Sequence, residues 1–440
     1  MTRLLKFLPI ALLLPLLIAG CKAGPQLSTA RDQFYLGQLV DSRSTYEAVR
    51  EDDKKCSVLC DLDLAMVELA TGEVESAQQR LLSARDTLDE NQAASIVDGT
   101  FSYITDDRVR DYKGWGYEQV MIRAMLAMSS LMHDAFDAEA FALQAASKQA
   151  ELQRRSEEAG FLDAGTSYQP LAFAPYIRGM LREATYHDYD DAVGQYRLVA
   201  EMRPTFAPAS FDIQRAESGT HSPPDCGVLY VFAFVGRGPQ RVAERSQVTS
   251  DVLLAADRIV SAIGKYSVPP TMAPIQIPAV AVPAVPVDTL FVMANNQPLG
   301  LTQSITDVGE MAMQQFEAEK KELLVRAVAR RVVKKSAVAA GKDVMGIEDP
   351  ALQLIIDLAG SAWEATEKPD LRCWQLLPRD IQVLRAELPV GTHDIRLQAF
   401  GTGSPLHLDA MTQTVDIQDG RNTYVLATAP TDRVIAAISR

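Results

Sequence analysis

The stretch GMLREATYHDYDDAVGQYRLVAEMRP, residues 179–204, indicates the architecture of the N-terminal half. Its apolar residues recur at helical spacing, a short polar turn interrupts them, and a second helix begins at acidic residues followed by an alanine. Two earlier stretches, 65–84 and 124–146, show the same order of helix, turn and helix. The sequence therefore predicts an array of helical hairpins over residues 27–220.

Small and aromatic residues in the 179–204 stretch resemble the tetratricopeptide (TPR) pattern, in which small residues let two helices pack closely and aromatic rings fill the gaps. These residues are Gly179, Ala184, Tyr186, Tyr189, Ala192, Tyr196 and Pro204. The three stretches are unevenly spaced along the chain. The resemblance therefore implies diverged TPR-like repeats with insertions between them.

The pattern changes in residues 221–370, for which we expect a mixed region of strands and helices. CGVLYVFAFV, residues 226–235, is a continuous apolar run typical of a buried strand, and 252–266 has helical spacing. Residues 269–287 contain six prolines among β-branched residues. Because proline is excluded from central strands, this Pro-rich stretch predicts an extended edge or a linker.

Clear alternation of apolar and polar residues marks the tail, residues 371–440. The segments 379–388, 392–401, 412–418 and 423–429 read as strands joined by tight turns. We expect a small C-terminal antiparallel β-sandwich-like module. The fold class that follows is α+β, with a TPR-like helical array, a mixed α/β region and this module in chain order.

The N-terminus has the features of a secretory signal over residues 1–20. Arg3 and Lys6 precede an apolar run that is too short to span a bilayer comfortably. Its end, Leu17-Ile18-Ala19-Gly20-Cys21, resembles the lipobox of bacterial lipoproteins, which implies cleavage before Cys21 and lipidation of its thiol. An ordinary signal peptide with a chance cysteine is the alternative.

Lipidation implies that residues 21–26 form a short tether to the membrane. Lys22 stands where an aspartate would favour retention at the inner membrane, so the resemblance points to the outer membrane, most simply its periplasm-facing leaflet. A net charge of −14 makes nucleic acid a poor partner. Beyond the signal, no segment reaches the length needed to span a membrane.

The sequence contains no recognisable nucleophile, zinc-protease or phosphate-loop motif, so we expect neither an enzyme nor a small-molecule cofactor. A cell-wall hydrolase with an unrecognised carboxylate pair and a glycan-binding protein that uses the tail remain as alternatives. Cys226 and Cys373 each precede a strand and are a candidate disulfide. Cys56 and Cys60 form either a local bridge or two free thiols, and with no histidine nearby we expect no metal site.

Two groups of basic residues are candidate contacts for an anionic partner. Arg237 and Arg241 follow the first apolar strand, beside a Gly236-x-Gly238 pair that favours a tight turn over a nucleotide site. Arg326, Arg330 and Lys334 form an i, i+4 row on a predicted helix. The row is most simply the solvated face of an amphipathic helix, and the alternative is contact with phospholipid headgroups, lipopolysaccharide or a protein partner.

Several blocks together resemble an uncharacterised family of bacterial outer-membrane lipoproteins with a TPR-like N-terminal half. They are Tyr112-x-Gly114-x-x-Tyr117-Glu118, the 179–204 repeat, Gly236-x-Gly238-Pro239, Arg326-x-x-x-Arg330 and Arg372-x-Trp374-x-x-Leu377-Pro378. The resemblance implies a lipid-anchored protein without catalytic residues, linked to envelope or peptidoglycan assembly. We therefore expect a protein-interaction scaffold that binds an envelope protein on the concave face of its helical array.

Overall fold

A computed structural model shows an α+β fold, with helices in the N-terminal half and sheets in the C-terminal half. The structure describes residues 24–97, 111–158, 168–263, 268–269, 273–345, 369–401 and 409–440. The predicted signal peptide and Cys21 lie outside these residues, as does a helix that the sequence indicated at 350–367.

In the helical half, each helix packs against the next one along the sequence, and short turns make these neighbours antiparallel. Its helices are α1 (Gly24–Tyr35), α2 (Leu39–Asp52), α3 (Ser57–Thr71), α4 (Val74–Val97), α5 (Gly116–His133), α6 (Ala138–Glu158), α7 (Phe173–Glu183), α8 (Tyr189–Met202) and α9 (Pro208–Glu217). The three predicted hairpins are confirmed as α3/α4, α5/α6 and α7/α8. At their turns Gly72, Ala135 and Tyr186 have positive φ angles of 84°, 61° and 61°, which reverse the chain between the helices.

Close packing within the α7/α8 hairpin explains one of the small residues. A Cβ placed on Gly179 would lie 2.8 Å from the ring of Tyr196, so the ring occupies the space that any other residue would need. Tyr196 is fully buried and lies near Tyr176, at 6.1 Å between ring centroids. The sequence prediction that a small residue admits an aromatic ring between two helices is confirmed at this contact.

The C-terminal half contains strands β1 (Cys226–Val235), β2 (Gln240–Ser246), β3 (Ile275–Ala281), β4 (Thr289–Ala294), β5 (Gln297–Leu301), β6 (Gln303–Asp307), β7 (Asp380–Pro389), β8 (Gly391–Phe400), β9 (Met411–Ile417), β10 (Asn422–Ala429) and β11 (Ala436–Ser439), with helices α10 (Ser250–Ile263) and α11 (Val308–Met345). The Pro-rich stretch contributes β3, which pairs only with β2 in a two-stranded sheet, as an edge position permits. A glycine near the end of a helical pattern predicts a helix end at Gly341, but α11 continues past it to Met345.

Strand β1 is the centre of a five-stranded sheet with the order β11-β10-β1-β7-β6. Its even-numbered residues, such as Tyr230 and Phe232, pack with the helices, whereas its odd-numbered residues, such as Leu229 and Val231, pack with a second sheet of order β5-β4-β8-β9. Burial of both faces is the reason that β1 reads as a continuous apolar run.

This assembly corrects two predictions. The tail does not form a module by itself, because β7 and β10 pair with β1 while β8 pairs with β4, and the β1–β10 pairing is parallel. The helical array is not a separate unit either. Helices α3 and α5 pack on β11 and β10, and α7 contacts β1 through Phe173 and Phe232. The protein's own sheet therefore covers part of the surface of the array.

Candidate functional site

The carboxylate of Glu118 is the centre of a buried junction between the two halves. It accepts hydrogen bonds from the Tyr112 hydroxyl, the Trp115 amide at 2.9 Å, the Tyr117 hydroxyl at 3.2 Å and the Trp374 amide at 2.7 Å. Glu118 stands at the third position of α5, so it also caps that helix. Burial raises the pKa of Glu118, and these hydrogen bonds and the charge of Arg241 oppose that rise.

Two further helices hold the same chain segment, residues 371–378. The Asp63 carboxylate on α3 accepts the Leu376 amide at 2.9 Å, and the Tyr35 hydroxyl on α1 donates to the Gln375 carbonyl at 3.0 Å. On the sheet side, the Gly238 amide donates to the Leu377 carbonyl at 2.9 Å. Three of the blocks that carried the family resemblance therefore meet here, and their residues join the helical array to the sheets.

The buried Asp63 predicts a pH-dependent stability. Burial raises its pKa to about 7, so folding favours its protonated form, and the associated stability is full below the unfolded pKa of about 3.9 and is lost as pH rises through about 7. Asp63→Asn, which still accepts the Leu376 amide, should make the free energy of unfolding less dependent on pH between 4 and 7. Denaturant titrations across this range test this, with the exposed Glu90→Gln as control; an unchanged pH slope in Asp63→Asn would contradict it.

The Gly236-x-Gly238 pair makes a tight turn between β1 and β2 and does not lead into a helix. Gly236 has a φ of 74°, and a Cβ on Gly238 would lie 2.3 Å from the Leu377 carbonyl oxygen. The prediction of a tight turn is confirmed. Its effect is to place Arg237 in an open groove beside α1.

We call this cavity, of about 680 Å³, the Arg237 groove. It is lined by Asp32, Tyr35, Leu36, Arg237, Ala284, Val285, Pro286, Thr431, Asp432 and Arg433. Three distant segments form its walls: the end of α1, the extended chain after β3 and the loop between β10 and β11. Leu36 is 58% exposed and supplies apolar surface next to the charged groups.

Two guanidinium groups in the groove have no ion pair with any residue that the structure describes. The Arg237 guanidinium lies 4.4 Å from the centroid of the Tyr35 ring, and its Nε is buried without a hydrogen bond. Arg433 donates to the Leu36 carbonyl at 3.1 Å. Asp32, in the same groove, is 3.4 Å from Arg31. Asp32 and Asp432 also line the groove and balance the two positive charges, so the feature that favours an anion here is that neither guanidinium forms an ion pair with a described residue.

The other predicted basic contacts are less accessible. Arg241 is 5% exposed, lies 3.6 Å from the centroid of a Trp115 ring and donates to the Pro278 carbonyl at 3.1 Å, so its assignment to a partner is wrong. Arg326 pairs with Glu322 at 2.5 Å within α11. Arg330 is half-buried, and the side chain of Lys334 lies outside the described residues.

Three cysteines have free thiols: Cys60, Cys226 and Cys373. Neither the Cys226–Cys373 bond nor a Cys56–Cys60 bond is therefore present. Cys373 is buried beside Glu118 in the junction, and burial raises its pKa to about 12, whereas Cys226 starts β1 opposite Pro389 of β7. Cys226 lies at the start of a central strand, whereas Cys373 lies in the junction with the helices. The two thiols are therefore in different parts of the structure.

Over the described residues, no helix is long and apolar enough to cross a membrane, and no group of three or more His, Cys, Asp or Glu side chains is arranged to hold a metal ion. Comparison of the chain with protein-family models, with curated proteins and with solved structures found no match. The resemblance to a lipoprotein family therefore stays a prediction.

Proposed function

We propose that this protein is a lipid-anchored interaction scaffold of the bacterial envelope, attached through Cys21 to the periplasm-facing leaflet of the outer membrane. It acts without catalysis and binds a carboxylate-bearing segment of an envelope protein in the Arg237 groove. The observation that carries the proposal is the pair of guanidinium groups, Arg237 and Arg433, that have no ion pair among the described residues.

The chemistry of the groove suits a carboxylate. A guanidinium offers parallel N–H donors that match the two oxygens of a carboxylate, and such charge-assisted bonds are worth about 1.5–3 kcal/mol each. Arg237 is held in place by stacking on Tyr35, whose hydroxyl is itself bound to the Gln375 carbonyl. Leu36, Val285 and Pro286 supply apolar contacts for the residues that flank the carboxylate in an extended peptide.

The anchor and the groove are close in the chain. Helix α1 begins at Gly24, so only two residues separate it from Cys21, and the three Cα–Cα steps span at most about 11 Å. The helix therefore includes residues 24–26, which the sequence assigned to the tether of residues 21–26. Partners within reach of the groove lie close to the membrane. We further propose that the three helical hairpins are diverged TPR-like repeats, a reading that the Gly179–Tyr196 contact supports.

Capture of partners from intact cells by cross-linking tests the proposal. We expect the native protein to retain a discrete set of envelope proteins and Cys21→Ala, which removes the lipid, to lose them. Arg237→Gln with Arg433→Gln should reduce the same capture about tenfold or more while leaving the protein membrane-bound. Arg154→Gln, exposed on α6, is the matched control.

Each outcome bears on a different part of the proposal. Capture that depends on Cys21 but not on the two arginines would contradict the groove as the binding site. Equal recovery of Cys21→Ala and native protein in the membrane fraction would contradict the anchor.

A further inference from the structure

A second pocket, of about 310 Å³, lies between α9 and strand β7, and it shares no lining residue with the Arg237 groove. It is lined by Tyr176, Phe206, Ala207, Pro208, Phe211, Asp212, Arg215, Gln303, Val383, Leu384 and Arg385. Its volume is at the lower end of the range for small-molecule sites, which fits a ligand of one ring better than a peptide segment.

Both arginines at this pocket have carboxylate partners. Arg215 donates two hydrogen bonds to the buried Glu183 carboxylate, at 2.9 and 2.8 Å, and forms an ion pair with Asp212 at 2.8 Å. Arg385 is 3.6 Å from Glu183. Burial alone would raise the pKa of Glu183. Hydrogen bonds with His221 and Arg215 outweigh this effect and lower the pKa of Glu183 to about 2. Arg385 also pairs with Glu387 at 2.8 Å, so the two arginines face three carboxyl groups and leave no positive charge to attract an anion.

Two buried polar atoms at the pocket nevertheless have no hydrogen-bond partner among the described residues. Asp212 is 3% exposed, and its Oδ2 accepts no hydrogen bond from a described residue. The Nε of Arg385 is also buried without a partner. Buried polar atoms of this kind are rare in folded proteins and call for a bound group that satisfies them. A hydroxyl or amide group of a ligand can donate to the Asp212 Oδ2 and accept from the Arg385 Nε–H.

The remaining walls are aromatic. Tyr176 and Phe206 are buried and contact each other edge to face, with ring centroids 5.7 Å apart. Phe211 lines the pocket and is 68% exposed, so its ring is accessible to a ligand. An exposed ring next to ion-paired polar groups offers a flat apolar surface together with hydrogen bonds.

We propose that this pocket binds a single uncharged sugar ring of a glycan. The ring's apolar face stacks on Phe211, while hydroxyl or acetamido groups reach Asp212 and Arg385. An anionic ligand is disfavoured because both arginines already have carboxylate partners, in contrast to the Arg237 groove. This site is independent of the proposed protein partner, and it places glycan binding between helix α9 and strand β7 and not on the tail alone.

Calorimetric titration of the purified full-length protein in detergent with N,N′-diacetylchitobiose tests the proposal, with inorganic phosphate as the anionic comparison. We expect saturable binding of the disaccharide and none of phosphate. Phe211→Ala should weaken binding roughly tenfold, the effect of losing one stacking surface. Phe136→Ala, which removes an even more exposed ring on the α5–α6 turn, is the matched control and should leave the affinity unchanged.

Asp212→Asn keeps the shape of the side chain and should also weaken binding of the disaccharide. Since Phe211 is exposed, its removal leaves the fold intact, and circular dichroism confirms this for both variants. Absence of disaccharide binding at millimolar concentration, or equal affinities of Phe211→Ala and Phe136→Ala, would overturn the proposal. Binding of phosphate in competition with the sugar would overturn it as well.

Discussion

Replacing Glu118 with alanine should lower the free energy of unfolding by about 4 kcal/mol, because four buried donors lose their acceptor at once. The loss falls on the junction where α5, the 371–378 segment and the sheets meet, so it affects both halves of the molecule. For a protein whose total stability is of the order of 5–15 kcal/mol, this is a large fraction. Urea unfolding followed by tryptophan fluorescence measures it directly, since Trp115 and Trp374 adjoin the carboxylate.

Two companion variants make the measurement specific. Glu118→Gln retains one acceptor oxygen but places an amide donor against the remaining donors, and we expect about half of the loss. Glu90→Ala removes an exposed glutamate from α4 and should change stability by less than about 0.5 kcal/mol. If Glu118→Ala were as stable as Glu90→Ala, the junction would not hold the two halves together.

Replacing Gly238 with alanine should cost about 3 kcal/mol of stability, because the added methyl group would meet the Leu377 backbone. Its Cβ would lie 2.3 Å from the carbonyl oxygen and 2.9 Å from the carbonyl carbon. To avoid this clash, the turn has to move away from the 371–378 segment, and the movement breaks the Gly238–Leu377 hydrogen bond. The movement would also displace Arg237 from Tyr35, so partner capture should fall together with the melting temperature.

Gly194→Ala is the matched control and has the opposite expected sign. Gly194 lies in the middle of α8 with no atom within 4 Å of a Cβ position. Alanine there should stabilise the protein by up to about 1 kcal/mol, since it removes the entropic cost of glycine in a helix. Thermal unfolding of both variants decides the question. A Gly238→Ala protein as stable as the wild type would contradict the close approach.

Local patterns predicted most of the elements. The hairpins of the helical half follow from apolar spacing, and the strands β7 to β10 follow from alternation. The turn at Asn295 and Asn296, where φ is 50° and 65°, and the Asp307 cap, which accepts the Glu310 amide at 2.8 Å, are both encoded by a few adjacent residues. Signals of this kind act within one element and are visible in the sequence for that reason.

Assembly of the elements was not predictable in the same way. Strand β1 pairs in parallel with β10, about two hundred residues later, and nothing in its apolar run specifies which strands lie beside it. The sheet then packs on the helices in one shared hydrophobic core, although the repeat pattern predicts a separate helical array. Long-range pairing depends on the shapes of two whole surfaces, and a local pattern does not describe those.

The same limit explains which site residues were found. Arg237 was predicted because a strand and a glycine turn precede it, whereas Arg433, Tyr35 and the second pocket's Asp212 stand in ordinary helix and loop contexts and carry no local signal. Arg241, only four residues from Arg237, looked equivalent in sequence. One points into the groove, and the other stacks on Trp115 inside the junction. Arg237 lies in the turn itself, whereas Arg241 lies on β2, so the two side chains belong to different elements.

Site-specific photo-cross-linking in intact cells tests the central claim, that the membrane-tethered protein engages a partner through the Arg237 groove. A photoreactive residue replaces Leu36, which is 58% exposed in the groove, or Leu143, which is 50% exposed on α6 outside it. We predict a discrete adduct from position 36 that is absent from position 143 and falls about tenfold when Arg237 and Arg433 are both changed to glutamine. The same adducts from both positions, or an adduct from position 36 that persists without the two arginines, would contradict the account.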